Sequence, residues 1–472
     1  MLRVMKRFWI MVSCMVLNTI VLAEDHYVSL SGTNNPPYTN WADAATNIQW
    51  AVDVATNGET VWVTNGNYTL TNQIVITNGI ILQGFNGRSN TFINGNRTGG
   101  NTNSCVLLSN ALAIVRGFSI TNGGGTNVLG GGIYCCNGKI DDCLIKTNMA
   151  GNGGGIYIQS GTITNCMIAN NISTKNATAE GGGGIFTTGS VSILNSEIVS
   201  NSAARAGGIL IRESINSCLI RDCKVIKSTT SNQGGGVGVY IVGGVYNIFV
   251  ERSIISENVA SSSGGGGVNV FRSSNAKGLI CFSNCVFSNN RAPEGGGVRI
   301  ANVSGLTNTW FYNCLICSNS ATAGNGGGVF NLDPTNFFIN CTIVSNTATQ
   351  SGSGVYCTNS ASWPNGCALT MINCIVYFNT VVDSVTSRFV NCCLESTNSL
   401  LVTQCTTNNP QFVDFNSGNY CLSSGSPCID KGTNQSWMTD ALDLQGGKRI
   451  FYRIVDMGAY EYTFRGTIYS VQ

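Results

Sequence analysis

Short apolar stretches that alternate with glycine and asparagine recur along the chain between Gly130 and Tyr356. Each copy opens with a run of glycines and an Ile or Val, and most copies continue to an Asn-Cys pair and a closing Asn. Three stretches of this kind per copy, each too short for a helix, predict three strands per turn. The cysteine-type position recurs about every 29 residues, a period typical of solenoids. Its members are Cys143, Cys166, Ser196, Cys223, Ser253, Cys285, Cys314, Cys341 and Cys374.

Three apolar columns accompany this repeat, and strand alternation sends all three inward. The column after the glycines is Ile133, Ile156, Ile185, Ile209, Val237, Val268, Val298, Val329 and Val355. The column before the cysteine position is Ile140, Ile163, Ile193, Ile220, Val250, Phe282, Phe311, Phe338 and Met371. The column after it is Ile145, Ile168, Ile198, Val225, Ile255, Phe287, Ile316, Ile343 and Val376. The pattern predicts an all-β fold, a right-handed parallel β-helix of about 12 turns with small end caps.

A fourth column consists of polar residues at one corner of each turn. Its members are Asn148, Asn171, Asn201, Ser228, Asn258, Asn290, Asn319, Asn346 and Asn379. An Asn side chain bonds readily to the next copy, so we expect a stacked corner, with a binding role as the alternative. The glycine runs indicate tight bends, because no Lys-Ser/Thr follows them as in a phosphate-binding loop.

Four regions follow from the composition along the chain. Residues 1–23 have the basic start, apolar run and small-residue end of a secretory signal peptide. Residues 24–125 are expected to form the N-terminal cap and first turns, with a capping helix that places Ile48, Ala51, Val52 and Ala55 on one face. Residues 126–409 form the repeat β-helix, and residues 410–472 form a C-terminal β module that closes the other end. No later segment is long and apolar enough for a transmembrane helix.

The 21 cysteines do not indicate a disulfide framework, although secretion permits one. Cysteines stacked in one column are about 4.8 Å apart with parallel side chains, which suits buried thiols better than disulfides. Cys421 and Cys428 lie outside the column and are the better disulfide candidates. With His26 as the sole histidine, no zinc site is expected. We predict no cofactor, unless the acids of residues 410–472 converge on calcium.

Two groups of motifs resemble known families. The motifs Phe287-Ser-Asn-Asn290 and Ile316-Cys-Ser-Asn319 are similar to the repeats of chlamydial-type polymorphic outer-membrane proteins. The words Ser426-Pro-Cys-Ile-Asp430-Lys-Gly432 and Asp456-Met-Gly458-Ala-Tyr460-Glu461 resemble the tail of choice-of-anchor Q proteins. These resemblances imply a pectin-lyase-like fold, export, residence outside the cell or on the outer-membrane surface, and adhesion.

The outward positions supply the candidate binding residues. Tyr134, Tyr157 and Phe186 follow the first apolar column and are expected to present rings that stack on sugars, unless the rings only stabilise the sheet. A second outward column is apolar and predicts a covered or associating face. Its members are Leu144, Met167, Ile254, Val286, Leu315 and Ile375. We therefore expect a binding or adhesion role toward an extracellular polysaccharide or a surface protein.

The alternative is a polysaccharide lyase or glycoside hydrolase that acts on uronic-acid polymers. A lyase needs a base and cations beside the substrate carboxylate, and Arg212, Arg221 and Arg252 are the candidates. Whether these three arginines share a groove with carboxylates distinguishes the two hypotheses. The net charge of +2 and the absence of a basic run give no basis for nucleic-acid binding.

Overall fold

The structure, a computed structural model, describes residues 24–175, 181–212, 217–272, 276–302, 308–357, 367–383, 387–397 and 400–463. The described chain winds into a parallel β-solenoid, as predicted. Each strand pairs with its counterpart one turn away, as when Ile156 pairs with Ile133 on one side and with Ile185 on the other. The predicted signal peptide lies outside the described residues. No helix in the described part is long and apolar enough to cross a membrane.

The widest sheet receives two strands from each repeated turn, here named the first and second strands. The first strands are Ile133–Asp141, Ile156–Ile158, Ile185–Thr187, Ile209–Arg212, Val237–Ile241, Val268–Arg272, Val298–Asn302, Val329–Asn331, Val355–Cys357 and Val381–Asp383. The second strands are Gly161–Thr164, Val191–Leu194, Cys218–Arg221, Gly244–Glu251, Ala276–Ser283, Thr309–Tyr312, Pro334–Ile339, Ala368–Ile372, Arg388–Val390 and Leu401–Thr403. The opening turns add His26–Val28, Thr60–Val63, Ile74–Ile76, Ile81–Gly84 and Val106–Arg116.

Two further sheets complete the turns. The third strands are Gly66–Thr69, Thr91–Asn94, Ser119–Thr121, Leu144–Lys146, Met167–Ala169, Glu197–Val199, Lys224–Ile226, Ile254–Ser256, Val286–Ser288, Leu315–Cys317, Thr342–Val344, Ile375–Tyr377 and Cys393–Leu394. The fourth strands are Met149–Ala150, Ile172–Ser173, Ser202–Arg205, Thr229–Gln233, Val259–Ala260, Arg291–Ala292, Ser320–Ala321 and Thr347–Ala348. The fourth strands were not predicted, because most are too short to show alternation. A hairpin of Phe412–Asp414 and Asn419–Leu422 lies outside the solenoid.

The interior is filled by the three predicted columns. Ile156, Ile163 and Ile168 are fully buried, as are the phenylalanines Phe282 and Phe311, whose rings stack with centroids 4.9 Å apart. The glycine bend that opens each first strand leaves no room for side chains. A Cβ on Gly183 would lie 2.4 Å from the carbonyl oxygen of Ser202. The bend therefore brings the fourth strand of one turn close to the first strand that follows it.

The predicted polar corner is a hydrogen-bonded ladder. The Asn148 side-chain amide donates to Asn171 Oδ1 at 3.1 Å, and Asn171 donates to Asn201 Oδ1 at 3.0 Å. The ladder asparagines are almost fully buried, so their amides are satisfied by one another and by backbone carbonyls. At Ser228, the shorter side chain leaves only its backbone N–H to donate to Asn258 Oδ1. This corner serves structure rather than ligand binding.

The column cysteines are free thiols in the structure, in agreement with their prediction as buried thiols rather than disulfides. Cys421 and Cys428, predicted as the better disulfide candidates, form no disulfide in the described part of the chain. Cys428 is buried in an apolar cluster with Cys393 and Met457. The disulfide that is present joins Cys357 to Cys367.

The N-terminal helix spans Ile48–Val54 and packs Ile48, Ala51 and Val52 into the core. Asn47 caps it by accepting a hydrogen bond from the Gln49 N–H at 2.8 Å. Short 3-10 helices occur at Arg97–Gly99 and Ser436–Met438. The predicted capping helix is thus confirmed.

The C-terminal region was predicted to close the last turn, whereas the structure places it along the side of the solenoid. Asparagines at the corner after the second strands hold its backbone: Asn284 and Asn313 donate to the Leu442 carbonyl, at 3.1 and 3.0 Å. Asn373 and Asn391 do the same to Thr433 and Lys431. The tail buries part of the outward apolar column, since Leu315 and Ile375 are 6% and 1% exposed whereas Ile254 is 39% exposed.

Candidate functional site

A crease runs along the solenoid where the fourth strands meet the first strands across the glycine bend. The outward side chains of the first strands face the last residues of the fourth strands there. In its middle, Ala206, Leu210 and Tyr240 pack together in an apolar cluster of their own, separate from the interior. Gly238 lies beneath them, and a Cβ at this position would be 2.9 Å from the Ala206 Cβ. The space that a side chain at Gly238 would take is therefore filled by the side chains of this cluster.

Tyr240 is the centre of a polar network in the crease. Its hydroxyl donates to Gln233 Oε1 and accepts from the Asn269 side-chain amide at 2.7 Å. Asn269 lies one turn further along, and its Oδ1 accepts from Arg299 Nη1 at 3.4 Å. The Arg205 guanidinium lies over the Tyr240 ring, 4.2 Å from its centroid. Two arginines therefore converge on Tyr240 from opposite directions along the solenoid axis.

Neither arginine has a carboxylate partner within ion-pair distance in the described part of the chain. The Nε atoms of Arg205 and Arg299 are buried and have no hydrogen-bond acceptor there. Both side chains are only partly exposed, so bulk water compensates their charges incompletely. The crease thus holds unfilled, positively charged donors.

Burial dominates the electrostatics of this site. It lowers the pKa of Arg205, and the nearby positive charge of Arg212 lowers it further, whereas Tyr240 acts in the opposite direction. Burial also lowers the pKa of Arg299, against the charge of Glu294. The pKa of Tyr240 is raised to about 12 by burial, so its phenol keeps its proton at neutral pH and remains a hydrogen-bond donor.

Aromatic rings extend the crease on both sides of the arginines. Tyr157 stacks on Phe186 with centroids 5.2 Å apart, and Phe330 stacks on Tyr356 at 5.4 Å. Arg299 lies over Phe330 at 5.7 Å from the ring centroid. The order along the axis is aromatic, cationic and again aromatic.

The predicted binding rings Tyr134, Tyr157 and Phe186 belong to this crease but do not form the open platform expected from their outward direction. Tyr157 is 9% exposed and Phe186 is 3% exposed, because the rings cover one another. Leu129 also packs against this cluster. Tyr134, at the edge of the cluster, is more accessible. Stacking on sugars through Phe186 would need its cover to move, so the structural alternative describes these rings better.

The three predicted catalytic arginines do not form one site. Arg212 ends a first strand, in register with Tyr240 of the next turn, and belongs to the crease. Arg221 and Arg252 lie at the corner after the second strands. There, Arg221 Nε contacts Glu251 Oε2 at 2.8 Å, and Arg252 forms a bidentate pair with Asp222 at 2.8 and 2.7 Å. These carboxylates neutralise both arginines.

A surface cleft of about 430 Å³ opens beside Arg252, between the corner and the C-terminal tail. Tyr312, Trp437 and Leu442 supply its apolar walls. Because Arg252 is already paired with Asp222, this cleft offers no uncompensated charge to an acidic ligand.

Sequence reasoning missed Arg205, Tyr240, Asn269 and Arg299 as a group. Asn269 and Arg299, like Gly238, interrupt the otherwise apolar column that contains Tyr157 and Phe186. An interruption by polar residues in successive turns was the signal available. Arg205 lies on a fourth strand, before the glycine bend, and only the folded chain brings it over the Tyr240 ring.

The acids of the C-terminal region bind the backbone rather than one another. Asp443 Oδ1 accepts from the N–H groups of Gln445 and Gly447 at 3.0 and 2.8 Å. Burial raises the pKa of Asp456 to about 6 and that of Glu461 to about 8, and Glu461 lies 3.3 Å from the buried Arg449. Within the described ranges, no three His, Cys, Asp or Glu side chains are grouped as metal ligands.

No protein-family model and no curated protein matches the chain, so the resemblances to polymorphic outer-membrane and choice-of-anchor Q proteins stay predictions. Solved structures similar to it include pectate lyase Pel9A, with 12% identity, 93% of this chain and 98% of that chain covered, and a TM-score of 0.46. A complex of XylC with xylose has 10% identity, coverage of 92% and 98%, and a TM-score of 0.39. The A-module of the Azotobacter vinelandii mannuronan C-5 epimerase AlgE4 has 11% identity, coverage of 77% and 95%, and a TM-score of 0.30.

Proposed function

We propose that this protein binds a uronic-acid-containing polysaccharide outside the cell, with the sugar carboxylates in the crease. The observation that carries the proposal is the pair Arg205 and Arg299, whose buried Nε donors have no partner in the described part of the chain. A guanidinium edge matches a carboxylate with two parallel hydrogen bonds. A uronate would supply the acceptors that the protein itself does not.

The surroundings of the arginines suit a sugar acid better than a small inorganic anion. Tyr240 and Asn269 are buried and bonded to each other, and they fix the two guanidinium groups in place without adding a carboxylate to the crease. Phe330 and Tyr356 continue the crease beyond Arg299 with apolar faces. Because each turn adds about 4.8 Å along the axis, an extended polymer could contact the aromatic and the cationic parts of the crease together. The predicted secretion signal at residues 1–23 agrees with an extracellular ligand.

Lyase activity on the same polymer is the second candidate, favoured by the partly buried Arg205, whose Nε has no acceptor in the described chain. A base would remove the proton on the carbon next to the carboxylate. The released electrons would form a carbon-carbon double bond and expel the neighbouring glycosidic oxygen, which would leave with a proton. Burial lowers the pKa of Arg205, against the opposite effect of Tyr240, and this is the direction that a proton acceptor requires. Arg299 would hold the carboxylate during this step.

Calorimetric titration with oligogalacturonate and with oligomannuronate tests the binding proposal. We expect saturable binding that weakens as salt is added, because exposed parts of a charged contact are screened. Arg299→Gln should weaken it about tenfold or more, since hydrogen bonds to charged groups contribute about 1.5–3 kcal/mol. Arg221→Gln is the matched control and should bind like the parent, because Arg221 is paired with Glu251.

The same samples distinguish binding from cleavage. A lyase would produce unsaturated uronides, seen as growing near-ultraviolet absorbance, and Arg205→Gln would abolish this signal while sparing part of the binding. Constant absorbance with saturable binding would leave the adhesion role. Absence of binding to both oligomers, or equal affinities for the parent and Arg299→Gln, would refute the proposal.

A further inference from the structure

A second cluster of rings lies at the N-terminal end, on the outward side of the second strands and away from the crease. Tyr27 and Trp62 are register partners on the strands His26–Val28 and Thr60–Val63. Trp41 and Phe85 come from the loops that follow, and their side chains are 37% and 52% exposed. Together with Leu30, Trp41 and Phe85 line a cleft of about 580 Å³, here named the N-terminal cleft.

The rings around this cleft pack edge to face, and Trp41 and Phe85 remain partly exposed to solvent. Trp41 contacts Tyr27 and Phe85 in T-shaped pairs with centroids 4.5 and 5.2 Å apart, and Trp62 contacts Phe85 at 5.9 Å. In the described part of the chain, the indole N–H groups of Trp41 and Trp62 have no hydrogen-bond partner. Buried rings at Tyr157 and Phe186 cover each other, whereas Trp41 and Phe85 face solvent.

Neutral polar groups form the rim of the same cleft. Ser29, Ser31, Thr64, Asn65 and Asn86 line it, and no charged side chain is among the lining residues of the described chain. Asn86 donates to Asn65 Oδ1 at 2.9 Å, which leaves the second N–H of its amide for another acceptor. Partly exposed rings bordered by hydroxyls and amides match a pyranose, whose C–H face is apolar and whose edge carries hydroxyls.

We propose that the N-terminal cleft is a second carbohydrate site and that it takes a neutral, β-1,4-linked polysaccharide. The described residues that line this cleft carry no charge, which distinguishes it from the crease, where we propose that arginines bind an acidic sugar. In a β-1,4-glucan all ring substituents are equatorial, so both faces present the C–H groups that stack on Trp41 and Phe85. This proposal is independent of the crease, because it uses other residues and another class of sugar.

Titration of the whole protein with cellohexaose, followed by tryptophan fluorescence and calorimetry, tests this site. We expect saturable binding that salt leaves unchanged. Trp41→Ala and Phe85→Ala should each weaken binding about fivefold to tenfold, from the loss of one stacked ring. Trp50→Ala is the matched control, because Trp50 is 46% exposed on the capping helix and does not line the cleft.

Thermal unfolding of each variant separates loss of the site from loss of the fold. If Trp41→Ala unfolds, Phe85→Ala decides the question, because Phe85 is the more exposed ring. Absence of cellohexaose binding by the folded parent would overturn the proposal. Concentration-dependent dimerisation of the parent in sedimentation, abolished by Phe85→Ala, would also overturn it by assigning the rings to contact between copies. Either outcome leaves the uronate titrations with Arg299→Gln unaffected, so the two proposals fail separately.

Discussion

The crease and the corner after the second strands both carry arginines, but only the arginines at the corner have carboxylate partners in the described chain. At the corner, Arg221 and Arg252 are each matched by a carboxylate one turn away, Glu251 and Asp222. In the crease, Arg205 and Arg299 have aromatic and amide neighbours but no ion-pair partner in the described chain. The ion pairs at the corner connect neighbouring turns, whereas the arginines of the crease keep donors that the proposed uronate would bind.

The largest expected contrast comes from removing each pair of arginines. Arg205→Gln combined with Arg299→Gln should weaken oligogalacturonate binding at least about a hundredfold, because two charged hydrogen-bond donors are lost. Arg221→Gln combined with Arg252→Gln should leave the affinity unchanged. Calorimetric titration of both double variants measures the difference. Equal losses would mean that the overall charge of the protein, and not the crease, attracts the ligand.

Asn269→Asp is expected to give an arginine of the crease a carboxylate partner, as the arginines at the corner already have. The new carboxylate would lie beside Arg299 Nη1, which is now 3.4 Å from Asn269 Oδ1, and would give this arginine an internal partner. Affinity for oligogalacturonate should fall about tenfold because the ligand must displace that partner. Titration beside a thermal melt checks this. An unchanged affinity would show that Arg299 does not contact the sugar acid.

Tyr240→Phe is expected to lower the stability of the protein by removing the hydroxyl at the centre of the polar network in the crease. Loss of the hydroxyl leaves Gln233 and Asn269 without the partner they now share, so the free energy of unfolding should fall by about 1–2 kcal/mol. Denaturant unfolding gives the value. Tyr356→Phe is the control, since the Tyr356 hydroxyl has no hydrogen bond in the described chain. If both variants are equally stable, the network around Tyr240 contributes no net stability.

The smallest expected effect is the pH dependence of the corner pair. Its hydrogen bond with Arg252 lowers the pKa of Asp222, so the pair stabilises the fold above the usual aspartate pKa and loses this contribution as the pH falls through the lowered pKa. Because both side chains are more than one third exposed, the contribution stays below about 1 kcal/mol. Unfolding of the parent and of Arg252→Gln should differ at neutral pH and converge as the pH falls below the lowered pKa of Asp222. A constant difference would contradict this assignment.

The inward half of the fold could be predicted from sequence because it repeats. Each of Ile156, Ile163 and Ile168 has a counterpart in every neighbouring turn, and a buried column tolerates only apolar side chains of similar size. The Asn ladder was predictable for the same reason, since each amide bonds to the next copy of itself. Repetition turns a weak local signal into a strong one.

The crease could be predicted only in part, because its chemistry depends on residues that do not repeat. The repeat revealed Tyr157 and Phe186 as members of one outward aromatic column. Their burial could not be predicted, because it also depends on neighbours such as Leu129 that belong to no periodic position. Arg205 and Tyr240 are far apart in the repeat pattern and meet only across the bend. The tail was misplaced for a similar reason, since nothing in its own sequence indicates the corner asparagines that hold it.

The tail held by corner asparagines also determines the order in which the protein can be completed. Stacked turns form between segments about 30 residues apart, so they can assemble while the chain is still being synthesised. The contact between Asn284 and Leu442 spans 158 residues and forms only after Leu442 has been synthesised. Until then the side face around Leu315 and Ile375 remains uncovered. The tail thus covers turns that were synthesised long before it.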